Sequence, residues 1–259
     1  MKHLKPTKKA SYLELENCVK TMNFLLLADI EGYTPEIDVS YFQNLEFVVI
    51  AGDISIGARN VERNAKFYQR IRDKIPRQLP IYYVPGNREY DNVAREFEGI
   101  PEKFIPIHNR LVTHTLSNGI FVHLVGYGGA LPGFFNNFVK NEEEFEQELE
   151  KLFQKAKSIT NEKDIVILVV HNPPISDSLD LTFTGQHIGS HSIRKIIEKY
   201  KPHYCVCGHV HESQSIEKIG NTRCVNPGAS KQGNAALLSL DSDLTIKLIT
   251  MDAHRLKSK

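Results

Sequence analysis

Four apolar runs in this chain each end on a side chain that can bind a metal ion. Leu25-Leu26-Leu27-Ala28 runs into Asp29. Val48-Val49-Ile50-Ala51 runs through Gly52 into Asp53. Ile165 to Val170, apolar throughout, runs into His171, and the run His203 to Cys207 leads into Gly208-His209-Val210-His211. Short continuous apolar runs are the mark of strands buried on both faces. Neighbouring strands lie only ~4.8 Å apart, so side chains at their carboxyl ends can converge on one crevice. If 209–211 is extended, His209 and His211 face the same side. Taken singly, Asp29 and Asp53 read equally well as turn or capping aspartates, and His171 as a histidine satisfied at a strand end; it is the repetition that points to a metal.

Between these runs the chain alternates strand and helix. Strands are expected at 24–28, 47–51 and 81–84. A short helix is expected within 36–46, a longer one over 59–75 stopped by Pro76, and helical patches near 12–19 and 93–97. Runs 111–116 and 120–126 flank Ser117-Asn118-Gly119 and predict a hairpin. The acidic stretch 142–157 carries the stripe Phe145, Leu149, Leu152, Phe153 and predicts an amphipathic helix. Pro173-Pro174 excludes a helix directly after His171, so 175–188 reads as a polar loop, and Ser190 caps a helix that runs to Tyr200. Strands at 203–207, 213–218, 223–226, 236–240 and 244–251 complete the pattern. The natural layering is an α/β fold of two packed mixed β-sheets flanked by helices, in a single domain over 23–259 after a polar tail at 1–22.

Bulk composition excludes little, but it does exclude extremes. The net charge is +1, from 32 basic and 31 acidic residues, and gives no reason to expect wholesale nucleic-acid or membrane binding. No apolar run approaches the ~20 residues of a membrane span, and the lysine-rich start is not followed by a signal-peptide core. A cytoplasmic protein with its four cysteines reduced is the expectation.

Together the stretches Asp29-Ile30-Glu31-Gly32, Gly52-Asp53, Gly86-Asn87-Arg88-Glu89, His171 and Gly208-His209-Val210-His211 resemble the ordered motifs of the calcineurin-like metallophosphoesterases. Gly185 to Ser190 and Asn226-Pro227-Gly228 resemble the small bacterial and archaeal members. The resemblance implies an αββα sandwich and a site for two divalent metal ions, with manganese favoured over iron, nickel or zinc. One ion would be held by Asp29, Glu31, Asp53 and His211, the other by Asp53, Asn87, His171 and His209, with Asp53 shared. It further implies attack of a metal-bridging hydroxide on a small phosphodiester or an activated phosphomonoester.

Two positions depart from the family pattern, which has histidine at both: Glu31 and Arg88. Glutamate remains a ligand, a harder and anionic one. Arginine stays protonated and cannot serve as a general acid, but its planar fork suits phosphate. Two readings follow. In one, Arg88 clamps the substrate, and His187 is the candidate to supply the missing acid. In the other, Arg88 pairs with Glu31, catalysis is impaired, and the fold serves as a binding or scaffold module with a protein partner. Phe134 and Phe135, in the glycine-rich stretch 126–137, are candidates for a lid. A nuclease with long nucleic acid as substrate is not expected, because no capping domain follows the core in this sequence.

Overall fold

The computed structural model describes residues 21–57, 59–90, 100–240 and 245–255. Two six-stranded sheets form its centre. The first contains β1 (Met22–Leu27), β3 (Leu45–Ala51), β4 (Ile81–Val84), β5 (Phe104–Pro106), β12 (Asn234–Leu240) and β13 (Ile246–Thr250), in the order β13-β12-β1-β3-β4-β5. The second contains β6 (Arg110–Thr115), β7 (Phe121–Tyr127), β8 (Ile165–Val170), β9 (Tyr204–Val206), β10 (Ser215–Ile219) and β11 (Thr222–Asn226), in the order β10-β11-β9-β8-β7-β6. Both are mixed. β1, β3, β4 and β5 run parallel, as do β7, β8, β9 and β11; β12 pairs antiparallel with β1 and β13, and β6 and β10 are antiparallel edges of the second sheet.

The period of two along each strand divides the core into layers. On β1, Phe24 and Leu26 face the second sheet, where they join Phe47, Val49, Val84, Leu124, Ile167, Val169 and Val206 in the inter-sheet core. Leu25 and Leu27 point the other way and pack with Tyr68 and Ile71 of α1 (Val61–Lys74). The far face of the second sheet, with Val125, Leu168, Val170 and Cys205, packs under α2 (Glu142–Ile159) and α3 (His191–Tyr200). Burial on both faces is why the strands read as unbroken apolar runs. The layers are helix, sheet, sheet, helix, as the sequence predicts.

Cys205, Cys207 and Cys224 are free thiols buried in the outer layer under α2 and α3, and burial holds Cys207 well above the usual thiol range. Among the described residues no helix is long and apolar enough to cross a membrane.

Some expectations need correction. The segment after β1 forms β2 (Tyr33–Glu36), which pairs with β14 (Asp252–Arg255) in a separate two-stranded ribbon, and a 3-10 turn at Val39–Phe42 takes the place of the short helix. Pro35 inside a four-residue strand disguised β2. β5 was also unmarked, being three residues long. The helical patches expected near 12–19 and 93–97 lie outside the described residues.

Candidate metal centre

Because β1, β3 and β4 are parallel neighbours, and β8 and β9 likewise, their carboxyl ends share an edge in each sheet, and the two edges meet. Three of them, β1, β3 and β9, turn sharply there. Asp29, Glu31, Asp53 and His209 adopt φ of 52°, 46°, 51° and 71°, in the left-handed region that non-glycine residues seldom enter. The turns aim their side chains into the crevice between the sheets.

Asp53, Asn87, His171 and His209 meet on one side. His171 Nδ1 donates to Ala51 O at 2.8 Å, which leaves a lone pair on Nε2 in the neutral ring. Asn87 Nδ2 donates to Phe135 O at 2.7 Å, so Oδ1 is the inward atom. His171 Nε2 then lies 3.0 Å from Asn87 Oδ1 and 3.5 Å from Asp53 Oδ2, and His209 Nδ1 lies 3.1 Å from the same Asn87 oxygen. Two ring nitrogens, an amide oxygen and a carboxylate oxygen thus converge on one point, the kind of donor set a divalent cation takes. On the other side Asp29 Oδ1 is 3.3 Å, and Glu31 Oε1 3.1 Å, from His211 Nε2. Both oxygens are buried and accept no aligned hydrogen bond. Asp29, Asp53 and His171 form one cluster of ligand atoms, and Asp29, Glu31 and His211 another. Asp29 belongs to both clusters. Both donor sets suit a divalent ion.

The sets attract positive charge strongly. Burial opposes a charged His171, but Asp53 outweighs it and lifts the imidazole to about 9. Burial likewise opposes a charged His211, yet Asp29 and Glu31 raise it to about 10. His209 goes the other way: burial, together with His171, pushes it down to about 3, so its ring is neutral.

A cleft of about 280 Å³ opens over the centre. Asp53, Asn87, Arg88, His209 and His211 form its floor, with Leu131, Pro132, Phe134, Phe135, Thr182, Ile188 and Glu212 around its mouth. A larger groove of about 550 Å³, beside His108, Lys140 and Glu144, coincides with neither ligand cluster, so size does not mark the site.

A family profile described as calcineurin-like phosphoesterase matches residues 22–213. The chain belongs to the calcineurin-like phosphoesterase family. It is 31% identical over 217 residues to the uncharacterized protein MJ1162 of Methanocaldococcus jannaschii, across 81% of this chain and 89% of that one. It is 30% identical over 202 residues to the UPF0046 protein K07C11.7 of Caenorhabditis elegans, across 71% of this chain and 64% of that one. Among solved structures it resembles TT1561 of Thermus thermophilus, with a TM-score of 0.66, 16% identity, and coverage of 89% and 99%.

The two departures from the calcineurin-like pattern touch each other. Arg88 Nη2 lies 3.1 Å from Glu31 Oε1, Nε lies 3.5 Å from Asp53 Oδ2, and the backbone N–H donates to Asp53 Oδ1 at 2.9 Å. The guanidinium carbon sits 3.8 Å over the Phe135 ring, a cation–π contact.

One candidate from the sequence lies further off. His187 Nδ1 contacts Asp180 Oδ1 at 3.0 Å and is not among the cleft-lining side chains. Buried Asp180 also accepts from Ser176 and Gly189 and so ties the 175–190 loop together.

Two residues with no role assigned from the sequence also contribute. Glu89, buried, accepts from Ser55 N at 2.8 Å and Gly86 N at 2.7 Å and so staples the loops after β3 and β4 together. Burial, with the Asp53 charge, pushes it up to about 7. Lys231 Nζ lies 2.8 Å from Glu31 Oε1. Its only sequence signal was its place three residues after Asn226-Pro227-Gly228.

Proposed function

We propose that the chain is a metal-dependent phosphoesterase that hydrolyses a small phosphodiester or an activated phosphomonoester. The observation that carries this reading is the convergence of His171 Nε2 and His209 Nδ1 on the Asn87 amide oxygen beside Asp53, at 3.0 and 3.1 Å. Such a set binds a cation better than it binds itself. Asp53, Asn87, His171 and His209 would hold one divalent ion and Asp29, Glu31 and His211 another, with manganese favoured because three carboxylates and an amide make a hard donor set. When bound, such ions supply Lewis acidity toward water and toward a phosphoryl group.

The chain's own residues do the rest. Arg88, held by Glu31, Asp53 and Phe135, presents a permanent cation at the floor of the cleft. It can hydrogen-bond phosphoryl oxygens and stabilise the charge that develops on them. It cannot give up a proton at neutral pH, so the favoured substrates are those whose leaving group departs as a stable anion. The aromatic side chains at the mouth would shield the reacting phosphate from bulk water. The cleft volume of about 280 Å³ supports a small ester over a long nucleic acid. A cytoplasmic enzyme with one catalytic unit at 23–259 behind a tail at 1–22 completes the proposal.

The second reading, a binding module with impaired catalysis, draws on the Arg88–Glu31 pair. Hydrolysis of bis-p-nitrophenyl phosphate with Mn²⁺, beside a count of metal ions per chain, separates the two. The enzyme reading expects Mn²⁺-dependent turnover that Asp53→Asn removes by about 10³-fold, within the range one charge-stabilising group supplies. A chain that binds ions but turns over neither diester nor monoester with any divalent metal is the binding module.

A further inference from the structure

Glu31 Oε1 is crowded by positive charge. Lys231 Nζ lies 2.8 Å away, Arg88 Nη2 3.1 Å and His211 Nε2 3.1 Å. Lys231 is built into this place. Its turn, Ser230–Gln232, is fastened to the end of β1: Ser230 N donates to Ala28 O at 2.8 Å, Lys231 N to Asp29 O at 3.2 Å, and Ala28 N to Ser230 Oγ at 3.2 Å. The lysine side chain is only 20% exposed.

The charge count gives this contact a consequence. Four buried carboxylates, Asp29, Glu31, Asp53 and Glu89, stand against Arg88 and Lys231. With all six charged and the three histidines neutral, as metal ligands must be, the protein supplies two net negative charges, which one divalent ion cancels. A second divalent ion would leave the floor of the cleft doubly positive in a partly desolvated site.

We propose that Lys231 is a resident cation at the Asp29–Glu31–His211 position, backed by Arg88, so that the two donor sets load unequally. One ion binds tightly at Asp53, Asn87, His171 and His209. The other position accepts an ion only when the Lys231 ammonium leaves Glu31. Of the two cations Lys231 is the movable one: it is a point charge on a flexible stem, whereas Arg88 is pinned by Asp53 and stacked on Phe135. Lys231 is thus a positioning residue that sets metal occupancy. The inference rests on the metal-dependent reading of the centre.

Calorimetric titration of Mn²⁺ into the metal-stripped full chain tests it, with metal content by mass spectrometry as an independent count. The wild type is expected to bind one ion tightly and a second at least about tenfold more weakly. Lys231→Met and Lys231→Gln are expected to tighten the second event by about tenfold or more, as removal of a like charge a few Å away requires. Lys231→Arg, which keeps the charge, should leave it weak. Thermal melting checks that each variant is folded. Two ions of equal affinity in the wild type, or a second event that both neutral variants leave unchanged, would overturn the resident-cation proposal while sparing the metal centre. A wild type that binds no divalent ion overturns both.

Discussion

At the scale of residues, the centre is made by backbone turns that few side chains tolerate. Four of the seven candidate ligands hold positive φ, and each such position costs about 1–2 kcal/mol for an ordinary L-residue, less for aspartate. The fold accepts that cost where strands stop and aim a side chain. Glycines then let the chains approach. A Cβ on Gly86 would fall 2.0 Å from Asp53 Oδ1, and one on Gly52 2.3 Å from His171 Nδ1. Gly86→Ala is therefore expected to move Asp53, weaken Mn²⁺ binding by about tenfold or more, and lower stability by about 2–3 kcal/mol. Titration calorimetry and thermal melting read the two effects. The residue types at these positions were legible in the sequence, because Asp and His recur at the ends of four apolar runs. The crowding was not, since it depends on which strand ends become neighbours.

Elements were legible where their signals are local. Asn141 accepts from Glu144 N and Glu144 from Asn141 N, a capping box that opens α2 within four residues of sequence. Ser190 caps α3 as its spacing suggests. The acidic start of α2, which reads as a solvated face, has a second use that no local signal announces. Glu142 accepts from Ser190 Oγ, His191 N and Ser192 N, so one helix caps the next. Those bonds hold its carboxyl below the usual range despite the opposing effect of burial. Glu142→Ala is expected to cost about 1–2 kcal/mol, measured by urea unfolding, with Mn²⁺ affinity unchanged because α3 packs on the far side of the second sheet. The ribbon of β2 and β14 was illegible for the same reason as Glu142: its pairing joins Thr34 to His254, and nothing near either residue records the other.

For the whole molecule, the two sheets hold the donor sets together, and a bound ion should hold the sheets in return. The cluster that includes Asn87 and His171 bridges β4 of the first sheet and β8 of the second. An ion that binds the folded chain alone stabilises it by RT ln(1 + [L]/Kd), about 2.7 kcal/mol at a hundredfold excess over Kd. Thermal melting should accordingly rise with Mn²⁺ and fall back with chelator, and Asp53→Asn should remove most of the rise. A melting temperature indifferent to every divalent ion would contradict a centre shared between the sheets.

The sequence by itself determined the layers and the candidate ligand types. Buried strands must be apolar on both faces, and an aspartate or histidine at the end of such a strand stands out against that background. Tertiary structure alone decided how the charges are partnered. Glu31, Arg88 and Lys231 lie far apart along the chain and meet only because the end of β1 receives both the β4 loop and the turn after β11. Electrostatic energy depends on distances of a few Å, and those distances are properties of the packed sheets.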